Sequence, residues 1–396
     1  MGSGGSRVDD GLRVHFVDTA ADVSDALTAL DAPVLGVDVE RADADRYYRR
    51  AALIQIGVPG HCLLLDGVTL GALPDVDDFL AAGDRLVVLH ALENDFEPLA
   101  AKAIRPPRVA DTAVAASVLG LPTGLSALLA EVLEVELTAD KEAYQRADWE
   151  ERPLSDGMAA YAAGDVVHLP QLWQRLAQRL ADSGRSSWYE QELAATIDRS
   201  RQDARDWTRV KGAGRLSGEQ RAVLREVWQE RERLAREHDI APNRLVHDDV
   251  LRSIATEPPR TMPQLVRRSQ RRRNLLRRHG EALFAAVERG QAGPPVLRES
   301  SGRRWTDRDR DLYDQLRKAR SAVAEELGID AGVLCPSKPL WRAVAGAPGD
   351  GGELCASVGL RPWQAEVLAT PLWEAYVAAG GLDRPAPDGA VDGDEG

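Results

Sequence analysis

The chain has 396 residues, 44% apolar and 29% charged, enough for two or three packed domains of an ordinary globular protein. A net charge of −13 excludes a uniformly basic nucleic-acid binder, so any such binding must rest on local charge. Three widely spaced cysteines, Cys62, Cys335 and Cys355, exclude a disulfide framework and a zinc ribbon, and no apolar run reaches the length of a membrane span.

In chain order, the first ten residues are Gly/Ser-rich, lack the apolar core of a secretory signal and are expected to be unstructured, as is the tail from Arg384 to Gly396. Val14 to Val17 is a short strand, and Ala20 to Leu30 has helical spacing with Thr19 available as a cap. Val34 to Glu40 reads as a buried strand. Ala52 to Val58 and Cys62 to Leu65 read as two strands joined by the turn Pro59-Gly60. The apolar run Leu86 to His90 precedes a helix from about Asn94, and Val109 to Asp111 opens a further segment. From Thr123 to about Leu180 the pattern is mostly helical. Strands first and helices later predict a mixed sheet with helices on its faces.

After Ser200 there is hardly a strand candidate. Leu216 to Glu237 is a long charged amphipathic helix, broken at Ala241-Pro242-Asn243. Asp248 to Ile254 and Met262 to His279 follow as helices, separated by the turn Glu257-Pro258-Pro259, and Gln291 to Pro295 reads as a linker. From Thr306 to about Ala379 the plan repeats loosely, with a charged helix Asp307 to Leu327 and a break at Cys335 to Pro339, as in a degenerate tandem repeat. The expected domains are 11–200, 212–292 and 300–380.

Asp38 and Glu40 lie two apart in a strand, so both carboxylates leave one face of it. Paired anions repel and resist burial unless something positive sits between them. Asp95 follows the strand at Leu86, and Tyr161 and Asp165 are four apart, which stacks them on one helix face. Singly, each has an ordinary explanation: a solvated or capping pair, a charge at a helix start, an aromatic filling a core. Together they form an oxygen-rich set suited to Mg²⁺ or Mn²⁺. Two such ions, roughly 3.5–4 Å apart, can clamp the attacking and leaving oxygens of a phosphodiester. With a reference pKa near 10, Tyr161 is a poor base and is assigned to orienting the attacking water.

These residues carry a resemblance. Val34-Leu35-Gly36-Val37-Asp38-Val39-Glu40, Leu53-Ile54-Gln55-Ile56, His90-Ala91-Leu92-Glu93-Asn94-Asp95, Asp111-Thr112 and Tyr161-Ala162-Ala163-Gly164-Asp165 resemble a DEDD-type 3′–5′ exonuclease domain of the tyrosine subtype, most similar to the ribonuclease D family. Lys141, Gln145, Asp148-Trp149 and Arg152-Pro153-Leu154 resemble the segment before the third motif. Leu216 to about Gly290 looks like an HRDC domain. The resemblance implies an α/β fold, a ribonuclease H-like mixed sheet, followed by all-α HRDC-like domains. It implies Asp38, Glu40, Asp95 and Asp165 as ligands of two divalent ions, with Tyr161 positioning the nucleophile. The implied activity is stepwise hydrolysis of RNA from a free 3′ end, releasing nucleoside 5′-monophosphates, with tRNA precursors among the substrates. Val39 stands where many relatives have Thr, which puts side-chain contact with the terminal nucleotide in doubt.

Arginine is dense from Arg260 to Arg278, and Arg267, Arg268, Arg271, Arg272 and Arg273 are the expected phosphate contacts there. A solvated helix face paired with acids is the plainer alternative. Lys141 and Arg152 are candidate clamps near the acidic site. Trp207, Trp228 and Trp305 could stack on bases, although tryptophans in helical modules more often fill cores. A DNA exonuclease of the same chemistry and a catalytically idle nucleic-acid-binding protein remain as alternatives. No motif for ATP, haem or nicotinamide stands out, and the reduced cysteines fit a cytoplasmic protein.

Overall fold

The computed structural model describes residues 6–9, 11–41, 45–137, 144, 147–201, 205–268, 273–297 and 305–383. Its sheet joins β1 (Ser6–Asp9), β2 (Leu12–Val17), β3 (Val34–Arg41), β4 (Ala51–Val58), β5 (His61–Asp66), β6 (Leu86–Leu89) and β7 (Val109–Asp111) in the order β1-β2-β5-β4-β3-β6-β7. β4 runs antiparallel to both β3 and β5, whereas β6 and β7 continue parallel to β3. The expected mixed sheet is present, with one correction at its edge. Ser6–Asp9, within the stretch expected to be unstructured, pairs antiparallel with β2. The Gly/Ser-rich start hides a four-residue strand that adds to the edge of the sheet by backbone pairing. The tail from Arg384 lies outside the described residues.

The alternation of β3 and its neighbours sorts the two cores. Leu35, Val37 and Val39 join Ile54, Ile56, Leu63 and Leu65 under α1 (Ala20–Thr28), α2 (Pro74–Ala81) and α3 (Phe96–Ala101). Leu53, Leu64 and Val88 face the other way, under α4 (Thr112–Leu119), α5 (Leu125–Leu133), α6 (Asp156–Val167) and α7 (Leu169–Asp182). Thr19 does occupy the position before α1, but its hydroxyl donates to the Asp22 carboxylate and caps no backbone N–H. α8 (Ser186–Ser200) closes this part, with Tyr189 buried in the second core.

The helical remainder follows one plan twice. α9 (Gly218–Glu237) starts with a capping box at Ser217 and is followed by α10 (Pro242–Leu245), α11 (Asp248–Thr256), α12 (Met262–Arg267) and α13 (Arg273–Ala292). α14 (Asp307–Leu327) starts with a capping box at Thr306 and leads to α15 (Ala331–Leu334), α16 (Ser337–Gly346), α17 (Gly351–Val358) and α18 (Pro362–Ala378). The repeat extends to buried arginines at matching places. Arg231 of α9 donates to the Val246 carbonyl at 3.1 Å, and Arg320 of α14 donates to the Cys335 carbonyl at 2.8 Å. Both tie the long helix to the break that follows its short successor.

The helical units grip the sheet unit. Tyr47, from the β3–β4 connection, is buried in the first helical core, and Asp239 accepts from the Tyr47 and Tyr48 backbone N–H groups and from Arg50. Trp363 stacks on Trp188 of α8 with ring centroids 4.5 Å apart. Among the described residues no helix is long and apolar enough to cross a membrane.

Candidate active site

The acidic site forms where α6 lies directly on the sheet. Gly36 of β3 and Gly57 of β4 are register partners, and both face the end of α6. A Cβ on Gly36 would collide with the Val166 carbonyl oxygen, and one on Gly57 would fall 2.6 Å from Val166 Cγ2. Two bare backbones side by side thus make a notch into which the helix sinks. Ser155 caps α6 by accepting from the Met158 N–H at 3.2 Å, and the helix carries Tyr161 and Asp165 one turn apart. Carboxylate oxygens of Asp38, Glu40 and Asp165 consequently lie within 4.8 Å of one another.

Asp95 arrives from the neighbouring parallel strand. β6 pairs with β3 through Gly36 and Val88, so the two chains leave the sheet at the same end. Asp95 is 3% exposed, and its Oδ2 is buried with no hydrogen-bond partner. Gln55, the cross-strand partner of Asp38, is also fully buried, with neither amide atom partnered.

Electrostatics follow from this crowding. Burial lifts Asp38 to about 6 despite the opposing Val39 N–H and the Arg41 charge. Glu40 is pushed up to about 9, first by burial and then by Asp38 and Asp165. Asp95 rises well above the carboxylate range through burial, with Asp38 the next cause. Burial, and then the Asp165 charge, raise the Tyr161 phenol, which is also hydrogen-bonded to Asp165. A set of carboxylates this costly to ionise, with an orphaned buried oxygen on Asp95, is short of positive charge. It is a hard-oxygen donor set, and divalent cations fit it.

Tyr161 is braced from the preceding segment. Its ring centroid is 5.6 Å from that of Tyr144 and 6.1 Å from that of Trp149, whose indole N–H donates to the Tyr144 carbonyl. Val39 is buried in the opposite core, so its side chain does not reach the carboxylates.

The nucleic-acid contacts expected from the sequence fare differently. Lys141, Arg271 and Arg272 lie outside the described residues, and Arg273 opens α13 with a side chain that is not described. Arg267 is exposed, whereas Arg268 is engaged with the Glu257 carbonyl at 2.7 Å and the Glu257 carboxylate at 3.2 Å.

Arg152 is engaged within the fold as a strut. Its guanidinium donates to both oxygens of the buried Asp66, at 2.6 and 3.1 Å, and to the carbonyls of Ala52 and Trp149. Its donors are already committed to the fold. Arg152→Ala should therefore cost about 2–4 kcal/mol of unfolding free energy in denaturant titrations, because Asp66 loses its partner. RNA affinity of the folded fraction should not change; a lost affinity at unchanged stability would reinstate Arg152 as a clamp.

Sequence reasoning missed the close approach of α6 at Gly36 and Gly57 and the full burial of Gln55 and Asp111, although Gly36, Gln55 and Asp111 lie inside the family-like motifs and Gly57 inside the strand Ala52 to Val58. Glycines at paired positions of adjacent strands were the available signal.

Comparisons with known proteins match both parts of the chain. A family described as 3′-5′ exonuclease matches residues 14–181, and the HRDC domain family matches residues 220–287. The ribonuclease D of Jannaschia sp. (strain CCS1) is 30% identical over 326 residues, covering 78% of this chain and 82% of that protein. The ribonuclease D of Pseudomonas paraeruginosa is 29% identical over 358 residues, covering 88% of this chain and 93% of its own. The crystal structure of Escherichia coli RNase D has the same fold, with a TM-score of 0.74 at 24% identity over 92% of this chain and 98% of that one.

Proposed function

This chain belongs to the ribonuclease D family, and from that premise we propose how its site works and on which substrates. It is a 3′–5′ exoribonuclease with a divalent-metal site. The observation that carries the residue assignment is the convergence of Asp38, Glu40 and Asp165 within 4.8 Å, beside Tyr161.

Asp38, Glu40, Asp95 and Asp165 would hold two divalent ions, Mg²⁺ or Mn²⁺. When bound, such ions supply positive charge to the scissile phosphate and make water more acidic. The chain's own groups do the rest. The carboxylates fix where that charge sits and exclude other anions. The Tyr161 hydroxyl, held by Asp165 and wedged by Tyr144 and Trp149, orients the attacking water. With its acidity lowered by burial and then by the surrounding anions, it keeps its own proton and acts by hydrogen bonding. Products are nucleoside 5′-monophosphates.

Substrates are RNAs with a free 3′ end, tRNA precursors among them, in the cytoplasm. Domains are assigned as 11–200 for the exonuclease and 212–292 and 300–380 for the helical units. The arginines around Arg267 hold the RNA body and raise the effective concentration of its 3′ end.

RNA and DNA oligonucleotides labelled at either end test this reading. The 5′-labelled RNA should shorten as a ladder while the 3′-labelled RNA yields mononucleotide at once. EDTA should stop both, excess Mg²⁺ should restore them, and DNA should be a poorer substrate. Internal cuts, or cleavage that survives EDTA, would overturn it.

A further inference from the structure

Asp111 and Thr112 form a family-like motif to which the reaction gives no work. Asp111 is fully buried at the end of β7 and caps α4, its Oδ1 accepting from the N–H groups of Ala113 at 2.7 Å and Val114 at 3.1 Å. The same carboxylate reaches across to the turn after β6. Its Oδ1 accepts from the Ala91 N–H at 3.2 Å and its Oδ2 from the Leu92 N–H at 2.8 Å. The Thr112 hydroxyl donates to the Leu89 carbonyl at 3.1 Å and lies 2.9 Å from His90 Nδ1.

The turn needs holding. Ala91 sits in the left-handed region, with φ +62° and ψ +53°, which its Cβ disfavours. Such a residue persists where its surroundings over-determine it. Here they do, and the chain emerging from the turn delivers Asp95 with its partnerless buried Oδ2. Asp111 is in turn fixed from behind: its own N–H donates to the Tyr189 hydroxyl on α8 at 3.0 Å. The C-terminal helices grip α8 through Glu192, which accepts from the Trp363 indole at 2.7 Å and from Arg361 at 2.5 Å.

We propose that Asp111 is a positioning residue for the metal site: its carboxylate locks the left-handed turn that aims Asp95, and Tyr189 holds it in place. The inference rests on Asp95 serving as a metal ligand.

Asp111→Asn strikes the second oxygen alone. An amide oxygen at Oδ1 keeps the helix cap and the Ala91 contact, while an NH₂ at Oδ2 meets the Leu92 N–H donor to donor. In the full chain without RNA, Mn²⁺ binding followed by electron paramagnetic resonance should weaken about 10–100-fold, as expected when a ligand loses its outer support. The kcat should fall while KM for RNA holds. Tyr189→Phe should shift Mn²⁺ affinity the same way by about threefold or more, and it decides the matter if Asp111→Asn does not fold. In an Asp95→Asn background, Asp111→Asn should weaken Mn²⁺ binding no further, which a merely structural residue would not obey. Unchanged Mn²⁺ affinity in the folded variants, or full additivity with Asp95→Asn, sinks the positioning role alone. An unsubstituted chain that binds no Mn²⁺ sinks the metal-site reading along with it.

Discussion

Asp38→Asn protein is expected to lose turnover on RNA by about 10³-fold or more while unfolding no more easily than the unsubstituted chain. Its carboxylate shares a space of 4.8 Å with Glu40 and Asp165, and burial already holds it up at about 6. Amide for carboxylate keeps the shape and removes one anion from a crowd of them. Without metal that relieves repulsion, so the melting temperature should hold or rise. With metal the sign reverses, because the donor set has lost a charge that divalent ions need. Metal in such sites contributes several kcal/mol of transition-state charge stabilisation, and a loss of about 4 kcal/mol is about 10³ in rate. The paired measurement is the melting temperature with and without Mg²⁺. The unsubstituted chain should gain stability from the ion by mass action and Asp38→Asn should not. Asp165→Asn should behave alike. Near-normal turnover by either variant would falsify the assignment of these carboxylates.

The parts of this site legible in the sequence are those with a local pattern. Asp38 and Glu40 could be placed on one face because strand period is two, and Tyr161 with Asp165 because a helical turn is about four residues. The strands β3 to β5 followed from apolar runs and the Pro59-Gly60 turn, where Gly60 takes φ +77°. What the sequence withheld is long-range. Arg152 looked like a clamp for phosphate because it is a cation near a motif. Its partner Asp66 is 86 positions away in a strand end, and nothing local announces that pairing. Asp111 read only as part of a segment opening at Val109, and only the fold brings its second oxygen to Leu92. The double use of buried arginines, Arg231 and Arg320, was equally hidden, because a charged helix reads as solvated until its neighbours are known. Composition misled at Ser6–Asp9, where pairing with an existing edge outweighs a poor local propensity.

Gly36→Ala is expected to cost about 10²-fold in kcat, with about 1–3 kcal/mol of stability, although Gly36 carries no side chain to take part in chemistry. The added Cβ would meet the Val166 carbonyl oxygen and lie 3.1 Å from Leu169 Cβ, both belonging to packed helical chain and not to a mobile side-chain tip. Overpacking of this kind is relieved by moving backbone. The element that must move is α6, and Asp165 and Tyr161 ride on it. Displacing reacting groups by about 1 Å can cost 10²-fold in rate. Gly164→Ala supplies the contrast, because it sits on the same helix beside the same aspartate. Its Cβ would find only Leu137 Cδ2 at 3.6 Å, an ordinary contact, and alanine favours a helix interior over glycine by about 1 kcal/mol. That variant should melt at or above the temperature of the unsubstituted chain and keep its kcat. Weakened Mn²⁺ binding in Gly36→Ala, alongside unimpaired binding in Gly164→Ala, would place the fault in the depth of the notch. Full turnover by Gly36→Ala would mean that the distance between Asp165 and the β3 carboxylates is set elsewhere.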